Sequence, residues 1–334
     1  MNKLDVTFFQ RRPHKGFNYS LEAIFTDLRK QLAKEVESSV VIMPAFNGGY
    51  LSKLANILYT WWNTGKGVNH VTGEIHFIDL LLPKNKTVLT VLDTGPLVRK
   101  KGLALKIVRW LYLEMPLRRA KVITTISGEV KEQLMQNTSC SPEKIRVVYV
   151  AIAKHFTFVP RRFNDRKPII LQIGTGPNKN IERLIEALQG ISCTLDIVGK
   201  LTNEHKELLD SKGIEYQNSV GLTDEEIKQK YEACDMVTFV STFEGFGMPI
   251  VEANAVGRPV ITSNISSMPE VAGKAACLVD PFDIDSIRAG ILKVIQEPVY
   301  RQELIQLGIE NKKRFTSEEI ASQYLGIYKE LMYQ

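Results

Sequence analysis

The sequence predicts an α/β protein built from two doubly wound parallel sheets. Short apolar segments rich in β-branched residues alternate with helical periodicity along nearly the whole chain, which is the pattern of βα units. The alternation is interrupted over the polar segment 154–167, KHFTFVPRRFNDRK, which is typical of a linker. The chain has 334 residues, more than one ordinary globular domain needs, so we expect two domains.

A first domain is expected over residues 1–155. Its predicted helices include the amphipathic segments 21–32 and 50–62. Its predicted strands are 5–9, 40–45, 87–92, 121–127 and 145–152.

The alternation restarts after the linker and predicts a second domain over residues 165–315. A final helix over 316–334 is expected to cross back to the first domain. Ligands of open α/β sheets bind beyond the carboxyl ends of the strands, so we expect the two domains to face each other across a cleft. The predicted strands are 168–174, 194–199, 214–219, 235–241, 259–263 and 276–280, and the predicted helices are 181–190, 203–212, 224–233 and one that begins at Pro249.

Charge is distributed unevenly along the chain. Residues 1–160 carry 23 Lys and Arg against 12 Asp and Glu, whereas the remainder carries 20 against 25. A basic first half indicates contact with an anionic membrane, nucleic acid or a phosphorylated acceptor. The apolar segment within 99–121 has basic flanks and predicts either a helix buried on a sheet or a membrane-surface helix. No nucleic-acid-binding motif accompanies the charge, so nucleic acid is not an expected partner.

Several classes of protein are disfavoured by what the sequence lacks. No segment approaches the roughly 20 apolar residues of a membrane-spanning helix, and the start, MNKLDVTFFQRR, is not typical of a secretion signal. The four cysteines form no CxxC pair, which disfavours a disulfide framework or a zinc site. We therefore expect a cytoplasmic protein, either free or peripheral at the cytoplasmic face of a membrane.

The segment 241–252, STFEGFGMPIVE, joins a predicted strand to a predicted helix. Gly245 and Gly247 allow a ligand to approach the backbone closely, and the amides at the helix start favour an anion such as a diphosphate. Glu244 and Glu252 flank this loop and could accept hydrogen bonds from sugar or ribose hydroxyls. Alternatively, both residues have only structural roles. Glu252 would then be a negative charge in the first helical turn, favoured by the helix dipole, and Glu244 would be a turn residue.

A second loop, GTGPNKN over residues 174–180, also joins a strand to a helix. Gly174 would give the turn flexibility, and the ammonium of Lys179 would stabilise negative charge on a departing phosphate. Alternatively, this segment is only a turn in which Asn180 caps the helix. It is a poor dinucleotide fingerprint, because Lys179 occupies the place of the third glycine, and this disfavours a nicotinamide-dependent oxidoreductase.

These motifs resemble glycosyltransferase family 4 of the GT-B superfamily. Glu244 and Glu252 form an E-x7-E pattern in the setting EGFGMPIVEA, and GRPVITSN, SSMPEVAG and LVDP follow it as in that family, over roughly residues 168–295. The resemblance implies a GT-B fold and a retaining transferase that uses neither metal nor cofactor. Glu244 would contact the donor sugar, Lys179 the phosphates and Glu252 the ribose. The other implied donor-binding residues are Gly16, Gly174, Thr175, Gly199, Val220, Gly245, Phe246, Gly247 and Met248.

The sequence departs from the family pattern at three positions. In the loop of Gly16 the usual form has two adjacent glycines and this chain has one, so an ordinary turn is the alternative there. Thr175 stands where many members have an arginine, and Leu92 stands where histidine is frequent. Lys15 or Arg99 of the first domain could supply the missing cation. Asp93 could orient the acceptor hydroxyl, although a cap or turn role is an alternative.

Two further candidates are assigned to structural roles. Asp283-Ile284-Asp285 matches the DxD metal motif of GT-A enzymes, but it opens a helical segment, where aspartate is a common cap. His76 is expected to be a partly buried polar residue.

The sequence thus predicts a hexosyltransferase that moves a sugar from a nucleotide sugar such as a UDP- or GDP-sugar to a glycan, lipid-linked or other hydroxyl acceptor. Bacterial-type surface polysaccharide or glycolipid assembly is the expected setting, with an anionic membrane as a further partner. The alternatives are a GT-B sugar phosphorylase and a catalytically degenerate nucleotide-sugar-binding protein.

Overall fold

The structure, a computed structural model, divides the chain into two compact units. The first unit comprises Met1–Ala151 and Ser317–Gln334, and the second unit comprises Ile152–Thr316. The segment expected to be a linker therefore belongs to the second unit, where the carboxylate of Asp235 binds Arg161 Nε at 2.9 Å. The structure describes residues 3–12, 20–46, 49–73, 75–93 and 110–333.

The described part of the first unit contains a parallel sheet with the strand order β2-β1-β3-β4-β5-β6. Its strands are β1 (Leu4–Gln10), β2 (Val36–Ile42), β3 (Val68–Thr72), β4 (Thr87–Val91), β5 (Val122–Thr125) and β6 (Ile145–Val147). Its helices before the second unit are α1 (Ser20–Leu32), α2 (Tyr50–Trp62), α3 (Met115–Arg119) and α4 (Gly128–Asn137).

The second unit contains a parallel sheet with the strand order β12-β11-β10-β7-β8-β9. Its strands are β7 (Ile169–Ile173), β8 (Thr194–Val198), β9 (Glu215–Ser219), β10 (Met236–Phe239), β11 (Val260–Ser263) and β12 (Cys277–Val279). Its helices are α5 (Ile181–Leu188), α6 (Asn203–Ser211), α7 (Asp224–Ala233), α8 (Met248–Val256), α9 (Met268–Ala272), α10 (Ile284–Gln296) and α11 (Pro298–Asn311). The predicted α/β class with two doubly wound parallel sheets is confirmed.

Both cores follow from the apolar periodicity of the sequence. In α5, Ile181, Leu184, Ile185 and Leu188 are fully buried, because positions three and four residues apart share one face of a helix. They pack in a core with residues of the central strands and of α10. None of the described helices is both long and apolar enough to cross a membrane.

The last helix, α12 (Ser317–Tyr333), packs in the core of the first unit. The hydroxyl of Tyr328 lies 2.7 Å from Nδ1 of the buried His70 on β3, and His70 Nε2 lies 2.7 Å from Thr90 Oγ1. Thr90 Oγ1 in turn lies 2.7 Å from Thr124 Oγ1. Each of these four side chains has a hydrogen-bond partner, so the network attaches α12 to three strands without leaving one of its own polar groups unsatisfied.

Two predictions of individual elements were wrong. The strand β3 was missed because its sequence, VNHVT, places Asn69 and His70 in a fully buried strand, and polar residues break the apolar signal. The strand predicted over 145–152 ends at Val147, and the apolar residues that follow contribute to the core as an extended segment. Val148, for example, is buried among core residues of the first unit.

Burial lowers the pKa of His70 from 6.5 to about 3, which predicts a loss of stability in acid. Below pH 6.5 the unfolded chain gains a proton on this imidazole that the folded chain does not accept. Stability should therefore fall as the pH drops from 6.5 toward 3, and this group contributes up to about 1.4 kcal/mol per pH unit.

The measurement is urea denaturation at a series of pH values, with His70→Gln as the variant that lacks the titrating group. We expect the free energy of unfolding of the wild-type chain to fall more steeply below pH 6.5 than that of the variant. His76, whose pKa is also lowered by burial, is present in both proteins, so the difference in slope isolates His70. Equal slopes would show that His70 is not a buried neutral imidazole.

Candidate functional site

The candidate site lies at the carboxyl ends of β7 and β10 in the second unit. These two strands pair in parallel at the centre of the sheet, although 62 residues separate Ile173 from Met236 in the chain. The connections from β7 and from β10 run toward opposite edges of the sheet, so their loops diverge and leave a crevice. The loop after β7 carries the GTGPNKN motif, and the loop after β10 carries the STFEGFGMPIVE motif.

Lys179 is the cation of this crevice. It ends a short 3-10 turn, Pro177–Lys179, and its Nζ lies 2.6 Å from Glu244 Oε1 and 4.6 Å from the centre of the Phe239 ring. The side chain passes so close to Gly174 that a Cβ there would lie 2.9 Å from Lys179 Cε. Gly174 also has a φ of +87°, so this position needs glycine for two independent reasons.

Glu244 is held by its side chain and by its backbone. The amide Nδ2 of Asn178 donates to Glu244 Oε1 at 3.0 Å. The Glu244 backbone N–H donates to Ser266 Oγ at 3.2 Å, and the Glu244 carbonyl accepts from Ser267 Oγ at 3.0 Å. The Ser267 hydroxyl also lies 2.6 Å from the carbonyl of Phe246. The turn around Glu244 is therefore fixed by neighbours on two other segments, one with Asn178 and one with Ser266 and Ser267.

Helix α8 begins directly after this turn. Gly247 is its N-cap, with a φ of +114° that glycine adopts without strain, and no side chain caps the first turn. The Phe246 side chain is buried against Phe315, with ring centres 5.6 Å apart, so only the backbone of Phe246 could contact a ligand. Met248 is the first helical residue. Amides without a side-chain cap at a helix start form a site suited to an anion.

Glu252 lies on α8, but one expectation about it was wrong. The helix begins at Met248, before its proline, so Glu252 is the fifth helical residue and lies outside the first turn. Its Oε2 accepts a hydrogen bond from the buried Tyr231 hydroxyl at 2.6 Å. Burial raises the pKa of Glu252 to about 7, while the hydrogen bond from Tyr231 and the charge of Lys179 lower it. Lys179 and Glu244 are in direct contact, and Glu252 lies on the helix that follows the turn of Glu244.

The other donor-binding candidates of the second unit lie in the loops after β7, β8, β9 and β10. Gly199 has a φ of +142°, and a Cβ there would lie 2.9 Å from the side chain of Thr175. The Thr175 hydroxyl donates to the carbonyl of Lys200 at 2.8 Å. Val220 is 61% exposed. Gly245 lies in the turn between Glu244 and Gly247.

The candidates of the first unit are less well defined. Lys15, Gly16 and Arg99 lie outside the described residues. Leu92 packs against the core of the first unit, and Asp93 follows it at the end of the described segment. His76 is buried, and desolvation lowers its pKa to about 4, so it stays neutral near pH 7.

The DxD segment has a structural role. Asp283 is the N-cap of α10, and its carboxylate accepts a hydrogen bond from the Asp285 backbone N–H at 2.9 Å. Across the described ranges, no three or more His, Cys, Asp or Glu side chains group in a way that could hold a metal ion. Asn180 is the N-cap of α5 by position, but its side chain donates to the carbonyls of Val240 and Pro281 and caps nothing.

Sequence reasoning missed several residues that shape the crevice. Phe239 lies beneath the ammonium of Lys179, and Tyr231 binds Glu252. Tyr231 is the only aromatic residue of α7, a helix with polar residues at most other positions. An isolated aromatic in such a helix was a usable signal of a buried side chain. Ser266, which has a φ of +57°, and Ser267 carried no comparable signal, because their role depends on a turn brought close by the fold.

Comparison with known proteins bears on both units. Residues 154–311, which lie within the second unit, match the family model described as glycosyl transferases group 1. The O-antigen chain mannosyltransferase B of Escherichia coli is 31% identical over 242 residues, which cover 65% of this chain and 62% of that protein. The match thus spans less than two thirds of the relative's length.

Solved structures resemble the whole chain. HepE of Anabaena, in complex with UDP and glucose, has a TM-score of 0.77 at 17% identity and covers 98% of this chain and 100% of that one. WaaG, a glycosyltransferase involved in lipopolysaccharide biosynthesis, has a TM-score of 0.72 at 14% identity and covers 97% of this chain and 99% of that one. At these identities the likeness shows the fold alone, and the fold is GT-B.

Proposed function

We propose that the chain is a retaining glycosyltransferase of GT-B family 4, with the E-x7-E pair Glu244 and Glu252 in its donor site. It would move a sugar from a nucleotide diphosphate sugar to a hydroxyl acceptor. One observation carries the proposal: the Lys179 ammonium lies 2.6 Å from the Glu244 carboxylate, beside a helix start without a side-chain cap. The ammonium and the backbone amides of the helix start suit the phosphates of a donor, and the carboxylate suits the hydroxyls of its sugar.

The diphosphate would lie between Lys179 and the start of α8. Cleavage of the bond between the sugar and the β-phosphate leaves negative charge on that phosphate. The fixed ammonium of Lys179 and the amides of Gly247 and Met248 stabilise this charge as it develops, which lowers the barrier to departure. Phe239 lies against the ammonium and keeps it oriented through a cation–π interaction.

The two carboxylates would bind the two ends of the donor. Glu244, oriented by Asn178 and Ser266, would accept hydrogen bonds from hydroxyls of the sugar. Tyr231 occupies Oε2 of Glu252, and among the described residues no side chain or backbone group binds Oε1. That oxygen can therefore accept a hydrogen bond from the ribose diol.

The proposed reaction is a front-face substitution with retention of configuration. The bond from the anomeric carbon to the β-phosphate oxygen breaks, the acceptor oxygen forms a new bond on the same face, and the acceptor proton passes to the departing diphosphate. Lys179 and the helix amides supply the positive charge that this step needs, so we propose that it proceeds without a metal ion or cofactor. Asp93, Lys15 and Gly16 are proposed to contact the acceptor or the phosphates.

The names of the relatives support a proposal for the substrate class. We propose a hexosyl donor, with mannose as the first sugar to test, because a relative named O-antigen chain mannosyltransferase B is 31% identical. HepE was solved with UDP, which makes UDP-sugars the second class to test. The proposed acceptor is a glycan or lipid-linked precursor of a surface polysaccharide or glycolipid, handled at the cytoplasmic face of a membrane.

One observation favours a second candidate, a degenerate nucleotide-sugar-binding protein. Thr175 replaces a cation of the family pattern, and its hydroxyl is already engaged by the Lys200 carbonyl. Leu92 packs against the core of the first unit, and its aliphatic side chain cannot make the hydrogen bond of a histidine. Donor binding without transfer to any acceptor of a broad panel would select this candidate.

The donor class can be determined with UDP-, GDP-, ADP- and dTDP-sugars. We expect the sugar nucleotides of one base to raise the melting temperature of the protein well above the others. The same sugar nucleotides should release free nucleotide during the reaction with EDTA present. Release that requires added divalent metal would contradict the proposed chemistry, and turnover with inorganic phosphate instead of a sugar nucleotide would indicate a phosphorylase.

Removal of the ammonium tests the role of Lys179. We expect Lys179→Met, which keeps most of the side-chain stem over Phe239, to lower kcat by about 10²- to 10³-fold, because one charge-stabilising donor is lost. Nucleotide affinity should change much less. The control is Lys206→Met, an exposed lysine of α6 in the same unit. Initial-rate measurements in which both variants match the wild type would refute the assignment.

The pKa of Glu252 predicts how nucleotide affinity depends on pH. Its pKa of about 7 means that the carboxylate is mostly protonated below pH 7 and charged above it, and only the charged form accepts hydrogen bonds on both oxygens. Affinity for the stabilising nucleotide, measured by calorimetry, should therefore increase as the pH rises through about 7. Glu252→Gln should abolish this dependence and weaken binding by about 10- to 100-fold.

Tyr231→Phe is the matched variant for this measurement. The Tyr231 hydrogen bond lowers the pKa of Glu252, so its removal should move the midpoint of the pH dependence upward. An unchanged midpoint in Tyr231→Phe, or the same pH dependence in Glu252→Gln, would show that another group controls the affinity.

A further inference from the structure

Helix α2 of the first unit presents a large apolar face to solvent. Leu51 is 84% exposed and Trp62 is 83% exposed. Leu54, Leu58 and Trp61 continue the same stripe at intervals of three and four residues, each at least half exposed. We call this set, together with Tyr50, the α2 surface. Soluble proteins rarely expose contiguous apolar patches of this kind without an interaction that uses them.

The orientation of α2 is fixed by its polar residues, which point inward. Asn56 is fully buried and exchanges two hydrogen bonds with the backbone of Ala45, at 3.1 Å and 3.0 Å. Thr60 is also fully buried, and its hydroxyl lies 2.8 Å from the Asn56 carbonyl and 3.5 Å from Met43 Sδ. A rotation that buried the apolar stripe would break this network and expose its partners. The outward display of the α2 surface is therefore built into the fold.

Lysines lie at the carboxyl-terminal end of the α2 surface. Lys66 is exposed just after Trp62, and Lys86 Nζ donates to the Lys66 carbonyl at 2.8 Å. Lys84 is exposed two residues before Lys86. Residues 38–73 contain no Asp or Glu, and Asp5, which lies near this end, accepts a hydrogen bond from the Gly67 N–H. The end of the α2 surface thus combines two tryptophans with several cationic side chains.

We propose that the α2 surface docks on a lipid bilayer that contains anionic headgroups. The helix lies in the plane of the interface, with Leu51, Leu54 and Leu58 toward the acyl boundary and the tryptophans at headgroup level, where indoles are stabilised. Lys66 and its neighbours then meet anionic headgroups. Segment 99–121, for which membrane docking was considered from sequence, lies largely outside the described residues, and the α2 surface is a different one.

The charge distribution favours a bilayer over a second copy of the chain. A two-fold dimer over this face would bring the same residues together. Helix α2 contains no Asp or Glu, so the facing helix of such a dimer would offer no acidic partner to the lysines at its end. An anionic bilayer could bury the apolar stripe and at the same time pair its headgroups with the lysines.

This proposal goes beyond the proposed transferase function and can fail independently of it. Vesicle binding needs neither a donor nor transfer, and nucleotide binding in the second unit can be measured without lipid. If vesicle binding is absent, nucleotide binding can still be tested in the same protein sample, and the converse also holds.

The experiment is co-sedimentation of the full chain with vesicles of phosphatidylcholine alone or mixed with phosphatidylglycerol. We expect binding to the mixed vesicles and a reduction of at least about tenfold in Leu58→Gln/Trp62→Gln, since two apolar anchors are lost. Lys66→Ala and Lys84→Ala should each reduce binding by about fivefold at low salt, the equivalent of about 1 kcal/mol per lysine.

Matched controls come from the second unit. Val299, on α11, is 84% exposed, the same fraction as Leu51, so Val299→Gln changes an equally exposed apolar residue away from the α2 surface. Lys274, also exposed, gives the control Lys274→Ala. Both should bind vesicles as the wild type does, and thermal denaturation should confirm that every variant is folded.

Three results would overturn the proposal. The first is the absence of binding to either vesicle. The second is binding that the α2 variants do not reduce, or that is equal on neutral vesicles. The third is a concentration-dependent dimer in sedimentation velocity that Leu58→Gln/Trp62→Gln dissociates, without vesicle binding, which would assign the surface to a second copy.

Discussion

The parallel pairing of β7 with β10 is the constraint on which the candidate site depends. Residues such as Met236 and Ile170 lie side by side in the sheet, and the carboxyl ends of both strands consequently open on one crevice. The loop after each strand then contributes one half of the chemistry, a cation from the first and two carboxylates from the second. Neither loop alone would bind a donor at both its phosphates and its sugar.

The charges in this crevice are held by a dense set of local contacts. Lys179 lies between the Glu244 carboxylate and the Phe239 ring, and Gly174 leaves the space for its stem. Glu252 is desolvated and stabilised by Tyr231. Such preorganisation matters because charge that develops during a reaction is stabilised most by groups that need not move to meet it. The rigidity comes in part from side chains outside the two motifs, such as Phe239 and Tyr231.

Much of this arrangement could be predicted from sequence, and the remainder could not for identifiable reasons. Apolar periodicity predicts the sheets, and the glycine-rich turns with Lys179, Glu244 and Glu252 predict where an anion and hydroxyls would bind. Strand β3 was missed because His70 is buried against Tyr328 from the far end of the chain, a pairing that no local pattern encodes. Ser267 was missed for the same reason. Helix α2 buries polar residues and exposes apolar ones, the reverse of the usual amphipathic helix, so the sequence pattern does not show which of its faces points inward.

The central claim is that one donor binds across Lys179, the start of α8 and the two glutamates. The most direct test is a crystal structure of the chain with the sugar nucleotide that stabilises it most. We expect the β-phosphate within hydrogen-bond distance of Lys179 Nζ and of the amides of Gly247 or Met248, the sugar at Glu244 and the ribose at Glu252. A diphosphate bound elsewhere, with the Lys179–Glu244 pair untouched by ligand, would contradict it.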